Sequence, residues 1–133
     1  MAKRNILIID DEKSIRFVLE NTLKNEFNVM SFPDGKEGLS YLENGNIPDL
    51  IISDLDMPGI NGFAFLEKIR HSGFFDNIPV IILSGNDESK DKIKCFEMGA
   101  DDYVSKPFNP KEIIARVNRR LDARDKLLQR IGI

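Results

Sequence analysis

At 133 residues, with 41% hydrophobic and 31% charged residues, the chain has the size of one domain with a full core and the composition of an ordinary globular protein. A net charge of −3 argues against a body that binds duplex nucleic acid by itself, and a single cysteine, Cys95, excludes an internal disulfide. One histidine, His71, beside that cysteine is too little for a zinc site, no apolar run approaches the roughly 20 residues that span a bilayer, and no signal-peptide core opens the chain, so the expected location is the cytoplasm.

Residues 5–9 form a near-continuous Ile/Leu run, the pattern of a strand buried on both faces. Residues 13–24 carry Ile15, Val18, Leu19 and Leu23 at helical spacing, with Ser14 or a preceding acid as cap; Phe17 lies off that stripe, either packed at its rim or facing a partner. A second strand spans 27–32 and is ended by Pro33-Asp34-Gly35, and a short helix over 35–43 carries Gly38, Leu39 and Leu42. The third strand, Leu50-Ile51-Ile52-Ser53, stops at a carboxylate, Asp54. Met57-Pro58-Gly59 cannot continue it, and Asn61-Gly62 opens a helix whose Phe63, Phe65, Leu66 and Ile69 suit a core face.

Residues 80–83 are the fourth strand. The next helix, 87–98, begins with an all-polar run and leaves Ile93, Phe96 and Met98 to anchor it, which marks it as a mobile element; Gly99 caps its end, and Cys95 reads as a structural or surface residue, as does His71. Residues 101–104 form a short fifth strand. Asn109 and Pro110 then start a long helix in which Ile114, Val117, Leu121, Leu128 and Ile131 keep a seven-residue rhythm interrupted at Arg124. From Pro110 onward there are seven Lys or Arg and three Asp or Glu, so a basic helix of +4 follows an acidic body of −7. The domain is expected over 1–121. Residues 122–133 extend the last helix as a linker or a coiled-coil dimerisation segment.

Five strands alternating with five helices predict an α/β fold, a doubly wound parallel sheet with right-handed crossovers, whose ligands sit beyond the carboxyl ends of the strands. Asp10-Asp11-Glu12, Asp54, Ser84 and Lys106-Pro107 all fall on that edge. Singly, each is a cap or turn residue; together they are a constellation. Clustered carboxylates repel and need a cation, and an all-oxygen set suits Mg²⁺, with Asp11, Asp54 and the backbone carbonyl of Asp56 as direct ligands and Asp10 acting through water. Lys106 adds a point charge and Ser84 a hydroxyl, a set suited to in-line phosphoryl transfer onto Asp54.

With Asp10-Asp11, Asp54-Leu55-Asp56-Met57-Pro58, Gly62, Ser84, Tyr103 and Lys106-Pro107-Phe108 in order, the chain from Lys3 to about Leu121 resembles the receiver domain of two-component response regulators. The resemblance implies a flavodoxin-like sheet in the order 2-1-3-4-5. It implies that Asp54 accepts a phosphoryl group from a kinase or phosphotransfer-protein phosphohistidine, the chain promoting only its own phosphorylation and dephosphorylation. It also implies that Ser84 and Tyr103 relay the change, the hydroxyl swinging to the phosphate and the ring turning inward to fill the vacated space, and so alter the face of the fourth helix, fifth strand and fifth helix. Ser84 stands where threonine is common, Gly85 leaves the site open to water or a small phosphodonor, and Asp56 adds a negative side chain that bears on the lifetime of the phosphoryl group.

Two other readings remain at the level of sequence. Asp54-Leu55-Asp56 copies the Asp-x-Asp of haloacid-dehalogenase-like phosphatases, although Pro58 stands where that family has Thr or Val. A receiver-shaped binding module indifferent to phosphate is the other. Expected partners are a sensor histidine kinase or phosphotransfer protein, a second copy through the switching face or the last helix, and an output domain beyond Ile133, with no membrane or direct nucleic-acid contact.

Overall fold

The computed structural model describes residues 3–86 and 88–132. Strand β1 (Arg4–Ile9) leads to α1 (Lys13–Leu23), β2 (Phe27–Phe32), α2 (Gly35–Glu43), β3 (Leu50–Asp54), α3 (Gly62–Arg70), β4 (Val80–Ser84), α4 (Ser89–Glu97), β5 (Asp102–Ser105) and α5 (Pro110–Arg130). The five strands are parallel in the order β2-β1-β3-β4-β5, as the resemblance implied.

The apolar runs are explained by burial on both sides of the sheet. Leu7, Ile9, Ile51, Val80 and Ile82 face one way, onto Phe65, Leu66 and Ile69 of α3, while Ile6, Ile8, Leu50, Ile52, Ile81 and Leu83 face the other, onto α1 and α5. Edge strand β2 is only partly covered, and Met30 is 46% exposed. Among the described residues no helix is long and apolar enough to cross a membrane.

Several helix faces differ from the sequence expectation. In α1 only Leu19 and Leu23 are buried, Ile15 is partly packed, and Val18 and Phe17 are exposed; the N-cap is Glu12, whose side chain makes no capping bond, so Ser14 does not serve. The expected start of α4 at Asp87 lies outside the described residues, as does Ile133, the expected end of the last helix. Ile93 and Phe96, expected as the anchors of α4, are 57% and 49% exposed, and Cys95 is buried in their place. The short helix is rotated so that its thiol faces the sheet, with Met98 packed beside it. In α5 the core contact is Ile113, Val117 and Leu121, with Ile114 only partly covered.

The expected caps hold elsewhere. Asn61 accepts from Ala64 N–H at 2.9 Å, Asn109 from Lys111 N–H at 2.9 Å with Pro110 opening the helix, and Gly99 takes the left-handed φ of +102° after α4. Helix α5 continues unbroken past Leu121. There Arg124 donates to the Asp49 carbonyl at 2.9 Å and Asp125 pairs with Arg4. Leu127 and Ile131 beyond them are exposed.

Candidate functional site

Register brings the strand-end residues together. Ile9 pairs with Ser53, so Asp10 lies level with Asp54; Asp54 pairs with Leu83, so Ser84 stands one step further out; Ser84 pairs with Ser105, so Lys106 follows at the same edge. The backbone N–H of Lys106 donates to the Ser84 carbonyl at 2.7 Å, fixing the start of its loop, and the Lys106–Pro107 peptide is cis. Below Asp54, Gly62 N–H donates to the Leu55 carbonyl at 2.8 Å. A Cβ at Gly62 would lie 2.5 Å from the Asp54 carbonyl oxygen and 2.6 Å from Leu55 Cα, so only glycine lets α3 begin this close to the acid.

The Lys106 ammonium sits 2.9 Å from Asp10 Oδ2, 3.3 Å from Asp54 Oδ1 and 3.8 Å from Glu12 Oε1. Asp10 and Asp54 are almost fully buried, at 1% and 4% exposure, while Asp11, Glu12 and Asp56 are exposed on the rim. Asp10 Oδ1 accepts the Glu12 N–H at 2.9 Å, and Asp10 Oδ2 is held by the Lys106 ammonium.

One ammonium therefore faces two buried carboxylates. Burial, then the charge of Asp10, pushes Asp54 up from 3.8 to about 7; Lys106 opposes that shift and a side-chain contact with Asp11 adds to it. Burial alone would lower Lys106, but its hydrogen bonds and charge pairs with Asp10 and Asp54 outweigh that and hold it above its ordinary value. The surplus negative charge must be met by a proton or by a further cation. Asp10, Asp11 and Glu12 offer oxygens within 4.8 Å of one another, a hard-donor set compatible with Mg²⁺. Glu12 belongs to that group and was given no role from the sequence, although it directly follows the acidic pair.

Ser84 is fully buried, and its Oγ accepts the Asn86 N–H at 3.0 Å. Gly85 is exposed, and a side chain there would meet nothing within 4 Å. Tyr103 is turned inward at 7% exposure, its hydroxyl donates to the Asn86 carbonyl, and the Lys92 ammonium lies 5.3 Å from its ring centre. Asn86, which sequence reasoning passed over, thus joins Ser84 to Tyr103 by its backbone alone. Its only advance signal was a cap-forming residue type two positions after the hydroxyl.

Comparison with known proteins agrees with this geometry. Residues 6–118 match the family model of the response regulator receiver domain. Regulatory protein VanRc of Enterococcus gallinarum is 44% identical over 117 residues, covering 87% of this chain and 49% of that protein. The probable transcriptional regulator ycf27 of Porphyridium aerugineum is 40% identical over 127 residues, covering 95% of this chain and 51% of that protein. The receiver domain of the Francisella response regulator 1452 superposes with a TM-score of 0.84 at 34% identity, covering 91% of this chain and 98% of that one. The chain spans about half the length of the curated relatives it matches. By sequence, strand order and the placing of its strand-end acids, the chain belongs to the response regulator receiver domain family.

Proposed function

We propose that this receiver is a phosphorylation switch: Asp54 takes a phosphoryl group from the phosphohistidine of a sensor histidine kinase or phosphotransfer protein, and Ser84 and Tyr103 pass the change to the face of α4, β5 and α5. The observation that carries the reading is the buried Asp54 carboxyl facing the Lys106 ammonium at 3.3 Å with Asp10 competing for the same cation. One Asp54 oxygen attacks phosphorus, the P–N bond breaks, its electron pair leaves on the imidazole nitrogen, which takes up a proton, and Asp54 becomes an acyl phosphate. Lys106 pairs with the developing charge on the phosphoryl oxygens, and the Ser84 hydroxyl donates to one of them.

Asp11, Asp54 and the Asp56 carbonyl would hold Mg²⁺, with Asp10 supporting through water. When bound, the ion neutralises phosphoryl charge and lets Asp54 react as the carboxylate. The clustered carboxylate oxygens of Asp10, Asp11 and Glu12, with the single Lys106 ammonium shared between Asp10 and Asp54, support that fit.

The regulatory and transcriptional names of relatives about twice as long support an output domain joined through the segment from residue 122 onward. Homodimerisation through α4, β5 and α5, or through the extended α5, would be how that output reads the switch, in the cytoplasm, with the receiver itself touching neither nucleic acid nor membrane. Asp54-Leu55-Asp56 alone suggested a phosphatase, and receivers are signalling domains.

The test is intact-mass analysis after incubation with a small phosphodonor and Mg²⁺. One phosphoryl group should add to the wild type, none to Asp54→Asn, and chelation should abolish labelling. Equal labelling of the two chains would rule the reading out. Partner binding indifferent to phosphodonor would favour a phosphate-independent module.

A further inference from the structure

Helix α4 is poorly held by its own residues. Cys95 is its one buried side chain, and its N-cap, Glu88, makes no side-chain capping bond. The head of the helix is organised by a residue outside it: Asn86 Oδ1 accepts the Glu88 N–H at 2.9 Å, and Asn86 Nδ2 donates to Asp91 Oδ2 at 2.5 Å, in the first turn. The backbone of the same residue donates to Ser84 Oγ and accepts from the Tyr103 hydroxyl. Next to Asp91, Lys92 places its ammonium over the Tyr103 ring. The contacts close a circuit from Ser84 to Asn86 to Tyr103, and from Asn86 through Asp91 and Lys92 back to Tyr103.

We propose that the Asn86 side chain is a positioning residue: its bond to Asp91 fixes the β4–α4 connection so that the Ser84 hydroxyl points its proton at the phosphoryl site and Tyr103 stays seated inward before any phosphoryl group arrives. The inference rests on the reading of Ser84 and Tyr103 as the relay. A serine hydroxyl has one donor and two acceptor positions, and an acceptor position filled by the Asn86 N–H leaves the proton to be aimed elsewhere. The tether is a charge-assisted bond, stronger than a neutral one, at the end of a helix with little else to hold it.

Tyr103 can be watched directly. The chain has no tryptophan and only two tyrosines, so in a Tyr41→Phe background tyrosine emission reports Tyr103 alone. Asn86→Asp sets two carboxylates against each other, and acrylamide quenching of Tyr103 should rise by about tenfold, the scale of losing one charge-assisted hydrogen bond. Labelling by a small phosphodonor should slow in parallel. The exchanged pair Asn86→Asp/Asp91→Asn restores a donor and an acceptor in reversed order and should return both readouts to the parent values. Asn86→Ser, which keeps an acceptor for Glu88 N–H but cannot reach Asp91, covers the case in which Asn86→Asp does not fold, and should behave as Asn86→Asp does. Unchanged quenching in the folded single variants, or an exchanged pair that folds without restoring it, overturns the tether. Quenching needs no phosphodonor, so a parent chain that labels nowhere sinks the phosphoacceptor reading while the tether is still decided.

Discussion

Helices α3 and α4 have nine residues each and lie on the same side of the sheet, yet α3 buries Gly62, Phe65, Leu66 and Ile69 where α4 buries Cys95 alone. The difference separates a fixed wall from a movable one. Helix α3 starts against the Asp54 backbone and cannot shift without disturbing the acid, whereas α4 meets the site through Asp91, bonded to Asn86, and through Lys92 over the Tyr103 ring. Local opening draws on the elements with the fewest buried apolar contacts, so the proposed switch would move α4 while α3 holds the frame.

The largest expected effect tests that contrast at its strong end. Phe65 is fully buried, and Phe65→Ala should cost about 4 kcal/mol in urea denaturation, while Cys95→Ala, which empties the one buried position of α4, should cost about 1 kcal/mol. Hydrogen exchange sharpens the comparison: amides of α4 should exchange through a lower-energy opening than those of α3. Equal costs for the two substitutions would remove the distinction between wall and lever.

At the acid itself the expectation depends on pH. Asp54 keeps its proton in the folded chain up to about 7 but loses it near 3.8 when unfolded, so between those values the folded state binds more protons. Its contribution is fully present below the unfolded value and is lost as pH rises toward 7, because stability falls with pH wherever the native state holds the extra proton. With a chelator present, Asp54→Asn should match the wild type near pH 4, gain on it through this window, and be more stable by on the order of 4 kcal/mol at pH 8. Added Mg²⁺ should narrow the gap by stabilising the wild type more than the variant, which keeps Asp11 but lacks one carboxylate of the set. A gap that is constant with pH would mean that neither burial nor the charge of Asp10 raises Asp54.

How much of this was legible in the sequence follows from what each signal depends on. Strands β1, β3 and β4 read clearly because burial on both faces leaves nearly continuous Ile, Leu and Val. The strand-end residues Asp10, Asp54, Ser84 and Lys106 were equally legible, because a parallel sheet places every such position on one edge. Helix rotation was not. Ile113 and Ile114 are adjacent, and which of them faces the sheet is decided by how α5 lies on it. Asn86 was illegible for a different reason: two of its four bonds are made by backbone groups, whose direction comes from the loop and leaves no trace in side-chain spacing.

The smallest expected effect bears on the misread face of α4. Ile93 and Phe96 are the apolar residues that periodicity assigned to the core, but they are 57% and 49% exposed, and little of their surface leaves water on folding. Ile93→Ala and Phe96→Ala should each shift stability by no more than about 0.5 kcal/mol, the range of surface substitutions. Two large apolar side chains left exposed on a weakly held helix contribute to a surface, not to the fold. Under the proposed dimerisation through α4, β5 and α5, their removal should weaken self-association of the phosphorylated chain, measured by sedimentation, while leaving the urea midpoint in place. A loss of stability comparable to that of Cys95→Ala would instead put these residues in the core and make α4 a second fixed wall.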